Sequence, residues 1–124
     1  MSSIPLLQEM HNPVGRVWTK EELAQVGEIC KRNQVFVVSD EIHSDVVYHG
    51  NIHTPFPMVS DVPHILCTAP GKTFNVAGLR ISNMLCSTLE IKQRYDQEIS
   101  AYSFAPPSTF GLEAVRAGYS PEGE

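Results

Sequence analysis

The sequence predicts an α/β fold, and three observations along the chain support this prediction. A capped amphipathic helix over residues 19–33 is followed at once by an uninterrupted apolar, β-branched segment over residues 35–39. A second segment of the same kind spans residues 64–68. Helices that alternate with buried strands indicate a mainly parallel sheet, flanked by helices and covered on both faces.

Length, composition and charge argue against several classes of protein. A chain of 124 residues with 42% hydrophobic and 19% charged residues is typical of one globular domain. The net charge is −5, with no basic stripe, so nucleic acid is not an expected partner. No apolar run approaches the roughly 20 residues of a membrane span. Three widely spaced cysteines predict reduced, mostly buried thiols and a cytoplasmic location.

The first helix carries the strongest local signals. Thr19 and Glu22 form the pattern of a capping box, and Asn33 is suited to end the helix. Acidic residues in the first turn and basic residues in the last complement the helix dipole. The predicted buried stripe consists of Leu23, Val26, Ile29 and Cys30.

The remaining elements follow from breakers and caps. Residues 1–10 show little strand signal and indicate a divergent or truncated start. Residues 11–17 predict a turn around Asn-Pro and Gly15, and residues 45–59 an irregular segment. Residues 80–87 can form another strand. Two further helices are expected, from Thr88 to about Tyr102 and from Ser108 to near Gly118. The predicted buried face of the first of these consists of Ile91, Tyr95, Ile99 and Tyr102.

Charged residues stand where the two buried strands stop. Asp40 follows the first strand, and Lys72 lies in the loop after the second. Loops at the carboxyl ends of parallel strands share one edge of the sheet, where ligands bind. The two side chains can therefore act on one ligand. The alternative of a nucleotide-binding phosphate loop around Lys72 is rejected, because the glycine that this motif requires is replaced by Leu66.

Three motifs carry a resemblance to a known family. They are the segments HNPVGR at 11–16, SDEIHSD at 39–45 and KTFNVAGL at 72–79. Together they resemble the pyridoxal-phosphate enzymes of the aspartate aminotransferase fold (fold type I). The Asp-Glu-Ile-His form of residues 40–43 most resembles the MalY/PatB branch of cystathionine β-lyases. The resemblance implies that residues 11–124 are an incomplete, pyridoxal-phosphate-binding part of a three-layer large domain.

The resemblance also implies a role for five residues. Lys72 would bond to the aldehyde of pyridoxal 5'-phosphate and remove the substrate α-proton. Asp40 would hold the protonated ring nitrogen. Asn12 and His43 would lie near the phenolic oxygen of the ring, and Arg80 would bind the phosphate.

Each of these residues has a structural alternative. Lys72 and Arg80 can be solvated surface charges, and Asp40 can cap the next turn. Asn12 can serve the turn alone, and His43 can be a structural histidine. No metal site is expected.

The sequence departs from the resembled family at two positions near the lysine. Ala69 and Gly71 stand where the family usually supplies a phosphate-binding hydroxyl, which Thr68 or Thr73 can replace. The chain also lacks the family's glycine-rich phosphate segment, the residue that stacks on the ring and the C-terminal domain with its substrate-binding arginine.

The function that the resemblance implies is a C–S β-lyase acting on sulfur amino acids, with release of thiol, pyruvate and ammonia. An aminotransferase is the first alternative, because it shares the five residues. A non-catalytic truncated fragment is the second. The partner would be a small amino-acid substrate, and the full-length form would be a homodimer.

Overall fold

The computed structural model of the chain describes residues 5–8, 10–11, 14–104 and 106–123. This part of the chain contains six short strands and four helices. The strands are β1 Leu6–Gln8, β2 Met10–His11, β3 Arg16–Val17, β4 Val37–Asp40, β5 His64–Thr68 and β6 Asn83–Cys86. The helices are α1 Lys20–Arg32, α2 Pro70–Thr73, α3 Leu89–Ala101 and α4 Thr109–Gly118, with 3-10 turns at Phe56–Met58 and Ala77–Leu79.

The main sheet has four strands in the order β1-β4-β5-β6. β4 lies between β1 and β5 and runs parallel to both, whereas β6 pairs antiparallel with β5. The prediction of a mainly parallel sheet is therefore confirmed. β2 and β3 form a separate antiparallel hairpin, with Gly15 at a φ of 71° in the predicted turn.

The sheet has helices on both faces. Val37 packs in one cluster with Leu23 and Cys30 of α1, and Leu66 is buried on the same face of the sheet. Cys67 and Cys86 point to the other face, and Tyr95 of α3 lies near both. Desolvation by this packing raises the pKa of the Tyr95 hydroxyl. This arrangement agrees with the predicted three-layer architecture.

The core forms between α1 and the sheet. Its buried members come from α1, β4 and the segment before β5, namely Leu23, Cys30, Val37, Phe56 and Val62. The α1 helix begins as the sequence predicts, because Thr19 and Glu22 form both bonds of the capping box. Asn33 is the C-cap, and its backbone and side-chain nitrogens both donate to the Ile29 carbonyl.

Two strand predictions are wrong in part. A strand, β1, forms at Leu6–Gln8, where the sequence offered little strand signal, because it pairs with the edge of β4. β4 begins at Val37 rather than at residue 35, since the Val35 amide donates to the Cys30 carbonyl and closes α1. Val38 and Asp40 are half-buried, so β4 is fully covered on one face only.

Three predictions of burial are also wrong. Ile29 is 51% exposed, although it was assigned to the apolar stripe of α1. Tyr102 is 72% exposed because α3 ends at Ala101 and leaves Tyr102 as its cap. The three cysteines are free, as predicted, but only Cys30 is buried. Among the described residues, no helix combines the length and apolarity needed to cross a membrane.

Candidate functional site

The candidate site lies at the carboxyl ends of β4 and β5. Asp40 is the last residue of β4 and pairs with Cys67, one residue before β5 ends at Thr68. Adjacent strands in a sheet are about 4.8 Å apart, so the two strand ends are neighbours. The Glu41 amide extends this pairing by donating to the Cys67 carbonyl at 2.8 Å. Asp40 and the loop that carries Lys72 therefore leave the sheet side by side.

The Asp40 carboxylate is half-buried, and its hydrogen bonding to the described residues is weak. Within the described part of the chain, one oxygen accepts a single long hydrogen bond, 3.4 Å, from the Ile42 amide. This contact corresponds to the turn-capping alternative, but it is at the limit of hydrogen-bond length. A partly desolvated carboxylate with unused acceptor positions is suited to a cationic N–H donor.

Lys72 lies in α2, a single helical turn that directly follows the end of β5. The turn is closed by the Phe74 amide, which donates to the Pro70 carbonyl at 2.9 Å, and by the Val76 amide, which donates to Gly71 at 3.1 Å. The Lys72 side chain is exposed and forms no hydrogen bond or ion pair within the described part of the chain. Its amine is therefore available to a ligand at this edge.

The backbone after Lys72 is unusual. Asn75 and Arg80 both adopt left-handed conformations, with φ of 54° and 51°. Such angles are uncommon for residues other than glycine and are concentrated at functional sites. Arg80 ends the 3-10 turn Ala77–Leu79, and its exposed side chain has no ion-pair partner among the described residues. Arg80 is thus a second cation, after Lys72, that forms no ion pair within the described part of the chain.

The other predicted residues are placed as follows. His43 is half-buried in the turn after Asp40, and its ring forms no hydrogen bond with the residues that the structure describes. Asn12 lies outside the described residues. Of the two substitute hydroxyls, Thr73 donates its proton to Asp45 at 2.8 Å. Thr68 accepts from Asn83 at 3.2 Å and keeps its own proton for a further acceptor.

Sequence reasoning missed two acidic residues around the site. Glu41 is 2% exposed and accepts hydrogen bonds from Ser39, Phe56 and His53, which fasten the segment at 53–56 behind the end of β4. Asp45 is bonded to Thr73, beside the lysine. Both residues lie within the Asp-Glu-Ile-His-Ser-Asp segment at 40–45. Their nearness to Asp40 in the sequence was the one feature that could have predicted a role at the site.

The arrangement suits one kind of ligand. A half-buried carboxylate and two unpaired cations can bind a small molecule that carries both a protonated nitrogen and an anionic group. No group of three histidine, cysteine or acidic residues in the described ranges is arranged to hold a metal ion.

Comparison with known proteins identifies the family. The family model "Aminotransferase class I and II" matches residues 5–124. The chain belongs to this family. Among curated members, it is 38% identical to cystathionine beta-lyase PatB of Bacillus subtilis over 121 residues, which cover 95% of this chain and 31% of PatB. It is 33% identical to kynurenine–oxoglutarate transaminase 3 of Rattus norvegicus over 106 residues, 82% of this chain and 23% of the transaminase.

Comparison with solved structures shows a similar fold. Cystalysin of Treponema denticola, whose crystal structure contains a pyridoxal 5'-phosphate cofactor, superimposes with a TM-score of 0.85 at 38% identity. The match covers 92% of this chain and 30% of cystalysin. The chain thus spans less than a third of the relatives that it matches, and its fold is part of theirs.

Proposed function

We propose that this chain forms the pyridoxal-phosphate-binding centre of a C–S β-lyase that acts on sulfur amino acids. The observation that carries the proposal is the placement of two opposite charges. Asp40 and Lys72 leave adjacent parallel strands at the same edge of the sheet, and neither charge is paired within the described residues. One ligand can bind both.

The side chains present fit this cofactor. Pyridoxal phosphate has a basic ring nitrogen, an aldehyde and a phosphate. Asp40 has acceptor positions left for a ring N–H, because the one hydrogen bond that its carboxylate accepts from the described residues is 3.4 Å long. Lys72 supplies an unpaired amine for the aldehyde. Arg80 and the Thr68 hydroxyl would bind the phosphate, through charge and through a remaining O–H donor.

Two further residues would contact the ring oxygen. Asn12 can donate from its side-chain amide, as the Asn-Pro motif of the family suggests. His43 follows Asp40 by three residues in the same turn and is half-buried without a bonded partner among the described residues. Its ring can donate one N–H or accept one.

The residues divide the chemistry between them. The bound cofactor supplies an electron sink for the substrate α-carbon. Asp40 would keep the proton on the ring nitrogen, and Lys72 Nζ would remove the proton from the α-carbon of the amino acid. A sulfur substituent on the β-carbon can then leave as a thiolate. In amino transfer, the Lys72 ammonium would instead deliver this proton to the carbon that the cofactor aldehyde supplies, and no sulfur group would leave.

The lyase is favoured over the two alternatives by the motif at residues 40–43, whose form is typical of the PatB branch, and by the similarity to PatB. Arg80 and the similarity to a transaminase support an aminotransferase as the second candidate. The third candidate is a non-catalytic fragment, because these residues by themselves correspond to 31% of the length of PatB.

Cofactor binding is tested by adding pyridoxal phosphate to the purified chain. We expect an absorbance band from the lysine-bound cofactor, and borohydride reduction followed by peptide mapping should find the label on Lys72. Lys72→Ala should abolish the band. Lys20→Ala is the matched control, because Lys20 is an exposed lysine at the start of α1. Labelling spread over several lysines, or unchanged in Lys72→Ala, would refute the proposal.

The reaction is tested by adding L-cystathionine to the cofactor-loaded protein. Release of thiol, pyruvate and ammonia would support the lyase. Amino transfer that depends on a keto acid, without thiol, would favour the aminotransferase. Cofactor bound at Lys72 with neither reaction would favour the non-catalytic fragment.

We also infer a homodimer and a cytoplasmic location for the complete protein. Large apolar side chains such as Phe104 and Phe110, 65% and 80% exposed, are consistent with further burial in an assembly. Free cysteines at all three positions are consistent with a reducing compartment. Light scattering on the complete protein would test the dimer, and a monomeric mass at micromolar concentration would contradict it.

A further inference from the structure

The single helical turn that carries Lys72, residues 70–73, is hydrogen-bonded to one carboxylate that lies far from it in sequence. This turn is called the lysine turn. Asp45 follows β4, and a single oxygen of its carboxylate accepts hydrogen bonds from two hydroxyls. Thr73, the neighbour of Lys72, donates at 2.8 Å, and Tyr119, the C-cap of α4, also donates at 2.8 Å. Hydrogen bonds to an ionised acceptor are roughly twice as strong as neutral ones. Three separate segments therefore meet at Asp45.

Apolar packing reinforces this junction. The ring of Phe74 meets the ring of Tyr119 edge to face, with centroids 5.1 Å apart and an interplanar angle of 84°. Phe74 also lies directly on Gly118, where an added Cβ would be only 2.8 Å from the ring. The residues that follow Lys72 are thus packed closely against the end of α4.

The residue before Lys72 is fixed as well. A Cβ added at Gly71 would approach the Cα of Ala77 to 3.2 Å, so the turn lies close against the following 3-10 segment. The backbone of Lys72 is therefore held on both sides, while its side chain is exposed and unpaired among the described residues.

The anchor matters because α2 is too short to position the lysine unaided. An isolated helix of one turn is unstable in water. The lysine side chain is flexible, so the protein can position its amine only through the backbone. A displacement of about 1 Å at a reacting group can cost on the order of a hundredfold in rate.

We propose that Asp45, Thr73 and Tyr119 are positioning residues that hold the Lys72 turn for covalent attachment of the cofactor. The inference rests on the proposed function, because it assumes that Lys72 is the attachment point. The proposal also makes α4 part of the site, because Tyr119, the C-cap of α4, donates to Asp45 although it is 74 positions away in the sequence. Burial and the bond to Asp45 raise the pKa of Tyr119, so this donor keeps its proton well into the alkaline range.

The test compares rates of attachment of pyridoxal phosphate to Lys72 in conservative variants. Thr73→Val removes one hydroxyl, Thr73→Ser keeps it, and Tyr119→Phe keeps the ring that packs against Phe74. We expect Thr73→Val and Tyr119→Phe to slow attachment about tenfold, the equivalent of one lost charge-assisted bond. Thr73→Ser should stay within about twofold of the parent chain.

A matched control separates positioning from general stability. The Ser87 hydroxyl accepts one hydrogen bond, 2.9 Å, from the His64 amide at the opposite end of β5. Ser87→Ala should therefore lower the unfolding midpoint without slowing attachment. All variants are compared under conditions where circular dichroism shows them folded. If Thr73→Val does not fold, Tyr119→Phe decides, because it changes an exposed cap and leaves the packing of Phe74 in place.

The outcomes separate the two proposals. Label on Lys72 in the parent chain, with the same rate in Thr73→Val and Tyr119→Phe, would overturn the positioning role alone. A slowing in Ser87→Ala as large as in Thr73→Val would also overturn it, because loss of stability would then explain both. Absence of label on Lys72 in the parent chain would overturn the proposed function and this inference with it.

Discussion

Replacement of Glu41 tests the polar network that supports the end of β4. The Glu41 carboxylate is 2% exposed and accepts from the Ser39 hydroxyl at 2.9 Å and the Phe56 amide at 3.0 Å. Its other oxygen lies 2.8 Å from His53 Nε2. Ser39 and Phe56 are fully buried, so water cannot replace the carboxylate.

The magnitude follows from these contacts. Glu41→Ala leaves the Phe56 N–H buried without this acceptor, and it removes one hydrogen-bond partner each from the Ser39 hydroxyl and from His53. Each unsatisfied buried group costs about 1–3 kcal/mol, and Glu41→Ala takes an acceptor from more than one buried group. We expect Glu41→Ala to lower the free energy of unfolding by about 3–5 kcal/mol. Glu41→Gln should lower it by about 1–2 kcal/mol, because the amide oxygen can still accept from Phe56.

The assay is urea denaturation at neutral pH, followed by the fluorescence of Trp18, the single tryptophan of the chain. Asp61→Asn serves as the control, since Asp61 pairs with Lys31 at the surface, with side chains 77% and 54% exposed. It should change stability by less than about 1 kcal/mol. A loss of less than about 1 kcal/mol for Glu41→Ala, with an unchanged denaturant slope, would refute the reasoning.

Two further predictions concern packing and pH. Gly27→Ala places a Cβ 2.5 Å from Ser60 Oγ and should destabilise by about 1–3 kcal/mol, whereas Gly78→Ala meets no atom within 4 Å and should be neutral in the same denaturation assay. An equal loss of stability in Gly27→Ala and Gly78→Ala would contradict this prediction. The pKa of Tyr119 is raised by burial and by Asp45, so its contribution to stability is complete below its unfolded value of about 10 and is lost as pH rises through the folded value. Tyr119→Phe should therefore weaken the alkaline loss of stability, and an unchanged alkaline profile would argue against the bond to Asp45.

Local signals were sufficient for the three longer helices, whereas the sequence predicted a loop where the single turn α2 forms. The capping box of α1 and the caps of α3 and α4 formed at Thr19, Thr88 and Ser108, because a cap is a contact between residues three apart. β5 also formed over the predicted residues. β1 could not be predicted from its own residues, because its pairing with β4 joins segments about thirty positions apart.

The candidate site likewise has a part that could be predicted from local sequence and a part that could not. Asp40 and Lys72 were predicted at neighbouring strand ends, since strand ends can be recognised in the sequence. The anchor between Asp45, Thr73 and Tyr119 was missed. Its bonds cross 28 and 74 residues, and no local pattern reports such a distance. The assigned roles of all five residues, namely Asn12, Asp40, His43, Lys72 and Arg80, remain predictions, as does the domain boundary at residue 11.

The central claim is that Asp40 and Lys72 bind opposite ends of one cofactor, and a crystal structure of the chain with pyridoxal phosphate tests it most directly. We predict that the aldehyde carbon is bonded to Lys72 Nζ and that an Asp40 carboxylate oxygen lies about 2.8 Å from the ring nitrogen. A ring nitrogen that faces another group, or a cofactor bonded to a different lysine, would contradict the account.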